Sequence, residues 1–215
     1  MKKYALTFLS LALMFVLVSC GTNDSKDENH AKNDATITAA PTEIEQKIVD
    51  AVGEDNYLCD TDIEKDWLQN SFGLDLSSIE SYVAKQNAIS SVNPDTVIIL
   101  KVKDGYADDA VKTLNTNFAQ MVSYVRQYSF GTAKVLNARL YQSGNYVMYI
   151  IAGTSYDGED AEAEAELANS EYSKIDEAIK SIFGTLPENL ATVPEDDGNA
   201  GGLIVPEDDM PVLGG

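Results

Sequence analysis

Between Thr96 and Tyr128 the hydrophobic period of the chain changes within a few residues. Val97, Ile98, Ile99, Leu100 and Val102 form an apolar run after the turn residues Asn93, Pro94 and Asp95. A short run of mostly β-branched residues bounded by turn residues reads as an inner strand over Thr96 to Lys103. Asp104 and Gly105 then end it. From Ala107 the spacing is helical: Val111, Leu114, Phe118, Met121, Val125 and Tyr128 mark one face of a long helix. A chain that must bury both patterns needs a sheet with a helix laid against it.

The flanking segments fit that layer. Thr42 and Glu45 have capping-box spacing, and Ile44, Ile48 and Val52 recur at helical intervals, predicting a first helix to about Gly53. Thr61 and Glu64 repeat the spacing ahead of Ile63, Trp67, Leu68 and Phe72, predicting a second, short helix that stops at Gly73. Ile79 to Ala88 has strand-like alternation around Tyr82 and Val83. Ala133 to Gln142 and Tyr146 to Ala152 read as a hairpin joined through Ser143, Gly144 and Asn145. Tyr172, Ile175, Ile179, Ile182 and Phe183 give a closing helix before Gly184. The expected fold is α+β: a mainly antiparallel sheet of about four strands with helices packed on one face.

That domain occupies residues 42–186. Ahead of it, residues 20–41 are rich in Asn, Asp, Ser, Lys, Thr and Ala and lack aromatics, so they cannot bury enough apolar surface to order themselves and read as a tether. Residues 187–215 carry seven acids and no base, with Val193 to Asp197 repeated as Val205 to Asp209. Two such short copies cannot stack as a solenoid, and an acidic disordered tail is expected.

The N-terminus reads as an address. Lys2 and Lys3 precede an uncharged stretch from Tyr4 to Val18, shorter than the roughly 20 residues that span a hydrocarbon core. It has the form of a signal peptide over residues 1–19. It ends in Leu17, Val18, Ser19, Cys20 and Gly21, a sequence similar to the bacterial lipobox, in which the Cys thiol takes diacylglycerol and becomes the new N-terminus. The expected partner of Cys20 is therefore membrane lipid. Buried methylenes contribute about 0.8 kcal/mol each, so two palmitate-length chains hold a protein that one chain would release.

Composition removes several chemistries. With 15 Lys and Arg against 35 Asp and Glu, the net charge is -20, and no basic stripe is present to neutralise phosphates, so no nucleic acid is expected as a partner. The single His, His30, lies in the tether, which excludes Ser-His-Asp and Cys-His mechanisms within the domain. Ser81 with Lys85 and Ser170 with Lys174 miss the S-x-x-K spacing by one residue. No P-loop or dinucleotide fingerprint is found. Once Cys20 is lipidated, Cys59 is the only thiol left, and it reads as a small buried apolar residue rather than a zinc ligand.

Acids are the chemistry in excess. Seven of the fifteen residues from Asp157 to Glu171 are acidic, including Glu162, Glu164 and Glu166, and Asp104, Asp108 and Asp109 form a second group. Neither has EF-hand spacing, and both read as solvated faces. Tyr141, Tyr146, Tyr149 and Tyr156 around the hairpin are expected mostly in the core. No catalytic residue, metal ligand or cofactor is assigned.

With its lipobox around Cys20, its tether, the TVIILKVKD segment from Thr96 to Asp104, the helix ending at Tyr128 and the SGNYVMYII hairpin from Ser143 to Ile151, the chain resembles a family of uncharacterised lipoproteins of Firmicutes. The resemblance covers roughly Thr42 to Phe183 and implies attachment to the outer leaflet of a Gram-positive cytoplasmic membrane. It implies no activity and supplies no active residues. The expected role is a binding or accessory module of the cell envelope, acting on an envelope protein or ligand. The rival expectations are an envelope hydrolase using paired carboxylates and a small solute-binding component.

Overall fold

The inner strand is central, and both of its faces are covered. The computed structural model describes residues 38–128 and 131–196; Cys20 lies outside these, as do most of the tether and the end of the acidic tail. Five strands, β1 (Thr61–Asp62), β2 (Ile79–Gln86), β3 (Thr96–Val102), β4 (Arg139–Ser143) and β5 (Tyr146–Ile151), form one antiparallel sheet in the order β1-β2-β3-β5-β4. Successive side chains on a strand point to opposite faces. Ile98 and Leu100 therefore meet one set of helices while Val97 and Ile99 meet another.

On the first face Ile98, Leu100, Val147, Tyr149 and Ile151 pack under α2 (Lys65–Asn70) and α3 (Ala107–Tyr128). On the second, Val97, Ile99, Met148 and Ile150 pack under α1 (Pro41–Val52) and α5 (Ala161–Phe183). The short helix α4 (Thr132–Leu136) contributes Val135 to the first core, and Tyr172 of α5 donates a hydrogen bond to its Lys134 carbonyl. The fold is α+β with five strands rather than four. Helices lie on both faces, not one, because a strand with no polar alternation leaves no face for water.

Four local differences have identifiable causes. Thr61 pairs with Gln86 and Asp62 with Lys85 as the fifth strand, so the second helix starts only at Lys65. The first helix is entered one residue earlier than the Thr42 spacing implies: Pro41 takes the first helical position and Glu43 accepts from the Ala40 N–H at 2.8 Å. Residues 133–136, expected as the start of a strand over Ala133 to Gln142, turn as part of α4 after Gly131, whose φ of +60° suits glycine. The last helix begins at Ala161 instead of near Tyr172. Asp160 caps it by accepting from Glu162 and Ala163 N–H, and Glu162 and Glu164 sit in its first turn, where the helix dipole favours negative charge.

An ion pair ties the second layer to the sheet. Arg139 of β4 grips Asp176 of α5 through two bonds of 2.9 and 3.0 Å, Tyr141 donates to the same carboxylate at 2.6 Å, and the guanidinium stacks 4.7 Å from the Tyr172 ring.

The chain after Leu186 does not leave the domain at once. Asn189 lies against the open edge of β4: it accepts from Leu140 N–H at 2.9 Å and donates to the Ala138 carbonyl at 3.0 Å, while Leu190 N–H donates to the Leu140 carbonyl. Asn115 of α3 fixes the next residues by donating to Leu190 and accepting from Thr192. An exposed strand edge invites pairing with other chains, and this segment occupies it. Asn189→Ala should cost about 1–2 kcal/mol in urea denaturation and speed amide exchange at Leu140 relative to the β3 amides.

Candidate functional site

Two cavities draw side chains from several elements, and their chemistry differs. The smaller, about 120 Å³, lies between the β2–β3 loop, α4 and the start of α5, with Pro94, Lys134, Ser155 and Glu164 among its walls. Behind it Lys134 and Asp95 form a buried ion pair at 2.8 Å. The Lys134 ammonium also meets the Gly153 carbonyl at 2.8 Å and Ser155 Oγ at 3.0 Å. Burial pushes the Asp95 carboxyl up to about 6, an effect the lysine charge opposes without cancelling. Its Oδ2 is buried with no hydrogen-bond partner among the described residues.

A Ser and Lys pair thus does come together, from positions that no S-x-x-K search would join. A lysine that activates a serine needs a lone pair on its nitrogen. Lys134 faces a carboxylate and a carbonyl that only accept, with Ser155 as third neighbour, so all three ammonium hydrogens are engaged. The arrangement holds the loop after β5 onto α4 and offers no base to Ser155.

The larger cavity, about 350 Å³, is a groove between α2 and α3 over the first face of the sheet. Trp67 forms one wall; Asn117, Gln120 and Met121 of α3 form the other; Thr96 and Tyr149 make the floor. The sequence placed Trp67 and Leu68 together on the second, short helix. Because α2 starts at Lys65, Leu68 takes the inward position and is fully buried, whereas Trp67, about 100° away around the helix, is 56% exposed.

The polar groups of this groove are not used up. Tyr149 is 2% exposed and packs edge to face with Phe118 at 6.3 Å, and its hydroxyl, which is not among the fully buried unsatisfied atoms, makes no hydrogen bond among the described residues. Burial raises the phenol well above its ordinary range, so it remains a donor. The Asn117 amide nitrogen is fixed by the Phe72 and Thr113 carbonyls, which leaves its oxygen for another partner. Tyr124 donates to the Ser91 carbonyl and so ties the β2–β3 loop to α3 beside the groove. No charged residue lines it.

The other residues singled out in the sequence are dispersed. Cys20 lies outside the described residues. Cys59 is buried in the second core, and burial together with nearby Asp95 pushes its thiol up, against the lysine's opposing charge, so it is not poised as a thiolate. Glu162 and Glu164 lie on the first turn of α5, where Glu164 accepts from Ala133 N–H; Asp104 and Asp108 are engaged with Asn145 and Gln142. No group of three His, Cys, Asp or Glu able to hold a metal occurs among the described residues. Tyr141, Tyr146 and Tyr149 are buried, as expected of core, whereas Tyr156 is half-buried and lines the smaller cavity. The Trp67 groove had no signature in the sequence, because its walls come from four separate elements.

Residues 53–152 carry a domain of unknown function, DUF4358. The match takes in the whole sheet, α2, α3 and the groove; α1 and α5 fall outside it. Comparison with curated proteins and with solved structures gives no match. Among the described residues no helix is long and apolar enough to cross a membrane.

Proposed function

We propose that this protein is a lipoprotein of a Gram-positive envelope, anchored through diacylglycerol on Cys20, whose DUF4358-containing domain is a binding module with the Trp67 groove as its contact site. The observation that carries the binding reading is the contrast between the two cavities. All three hydrogens of the Lys134 ammonium are engaged internally, whereas in the groove an exposed indole adjoins the Tyr149 hydroxyl and the Asn117 amide oxygen, neither of which makes a hydrogen bond among the described residues. The anchor rests on the lipobox-like Leu17 to Gly21 behind an apolar stretch. The rival hydrolase reading has no comparable support: Glu164 is the one carboxylate lining the smaller cavity, and the groove has none.

Metabolic labelling with palmitate tests the anchor. Label should enter the wild-type chain and be lost in Cys20→Ala, which should then be found unprocessed or released; label retained by Cys20→Ala overturns it. Site-specific photocrosslinking from Gln120 in intact cells tests the groove, where capture should be lost in Trp67→Ala, and an unchanged crosslinking pattern sinks the assignment.

A further inference from the structure

The geometry points to an uncharged saccharide as the ligand of the Trp67 groove, its ring stacked on the indole and its hydroxyls bonded to Tyr149, Gln120 and Asn117. This inference rests on the groove being the binding site. A pyranose presents a face of C–H bonds and an equatorial ring of hydroxyls, so it is bound by an aromatic plane flanked by groups that both donate and accept. Trp67 supplies an exposed plane, and the hydroxyl of Tyr149 and the amide of Gln120 make no hydrogen bonds among the described residues. Asn117 offers its free oxygen in an orientation already fixed by two backbone carbonyls, so little entropy is lost when it binds.

Charge narrows the class. The protein carries a net charge of -20, which disfavours phosphorylated or otherwise anionic glycans, and the groove offers them no cation in return. A cationic ligand is equally unmatched, because no carboxylate lines the groove. An extended peptide cannot add to the sheet at β4, because the edge beside Asn189 is occupied by the chain itself. The volume of about 350 Å³ lies at the small end of the roughly 300–1,000 Å³ of ligand sites and suits one or two sugar rings.

Trp67 is the only tryptophan, so its fluorescence reports on the groove directly. The full chain, kept in a non-glycosidic detergent, is titrated with chitotriose, cellotriose and maltotriose at up to millimolar concentration, with decaproline as the peptide comparison. At least one trisaccharide should change the emission saturably. By calorimetry Tyr149→Phe should weaken that binding about tenfold, the loss of a hydrogen bond from a desolvated hydroxyl, and Trp67→Ala should abolish it while Trp67→Phe retains part. Far-UV circular dichroism identifies any variant that fails to fold. Saturation by decaproline alone overturns the saccharide and leaves the groove as a binding site. A saccharide bound equally by wild type and Trp67→Ala overturns both. No saturable response to any trisaccharide overturns the ligand class, whatever crosslinking from Gln120 shows.

Discussion

Lys134→Met should lower stability by about 3–5 kcal/mol near neutral pH, since it leaves the Asp95 carboxylate buried and unpaired rather than merely removing a contact. Asp95 is fully buried, one of its oxygens already lacks a partner, and Lys134 is the cation beside it. The penalty should depend on pH in a fixed direction. Burial raises the folded-state carboxyl to about 6, above the roughly 3.9 of an unfolded Asp, so the folded protein holds this proton more tightly. The group's contribution to stability is therefore complete below about pH 4 and is lost as pH rises through about 6. Without the lysine charge the folded value moves higher still, so the cost of Lys134→Met should be small near about pH 5 and large near about pH 8. Urea denaturation at both pH values checks this. A penalty independent of pH would show that Asp95 is not what the mutation exposes. Asp95→Asn combined with Lys134→Met should recover much of the loss, because the uncompensated charge is gone.

Phe118→Ala is the second large effect, about 3–5 kcal/mol from lost burial plus the cavity left behind. Phe118 is fully buried on α3 and meets the Tyr149 ring edge to face, so it braces that part of the groove floor from the α3 side. Unlike Lys134→Met, the loss should vary little with pH. At temperatures where the variant remains folded, the Tyr149 ring should gain mobility, readable as faster ring flips by nuclear magnetic resonance. An equal destabilisation with Tyr149 unchanged would mean that the groove floor is held by β5 alone.

Much of the architecture was legible where side-chain period and partner surface agree. The helix Ala107–Tyr128 and the strand Thr96–Val102 fall where the residues place them, since each buries a continuous apolar face. The errors lie where a neighbour in space overrides the local pattern. Thr61 looks like a helix cap, but Lys85 and Gln86 offer a strand edge. Ala133 to Leu136 alternates like a strand, but Gly131 and the ion pair of Lys134 with Asp95 require a turn of helix there. The acids from Asp157 to Glu166 resemble a loop until the helix N-terminus that Asp160 caps gives their charge a favourable place.

The sequence by itself determined the α+β class, the inner strand, the long helix, the absence of histidine chemistry in the domain and the expectation of a lipid on Cys20, because these depend on residue type and on spacing along the chain. Only the tertiary structure decided that the sheet is covered on both faces, that Lys134 answers Asp95, and that Trp67 stands outside the core in one groove with Tyr149. Those arrangements join residues tens of positions apart, and whether a polar group is satisfied or left to bind something else depends on what folding brings within about 3 Å of it.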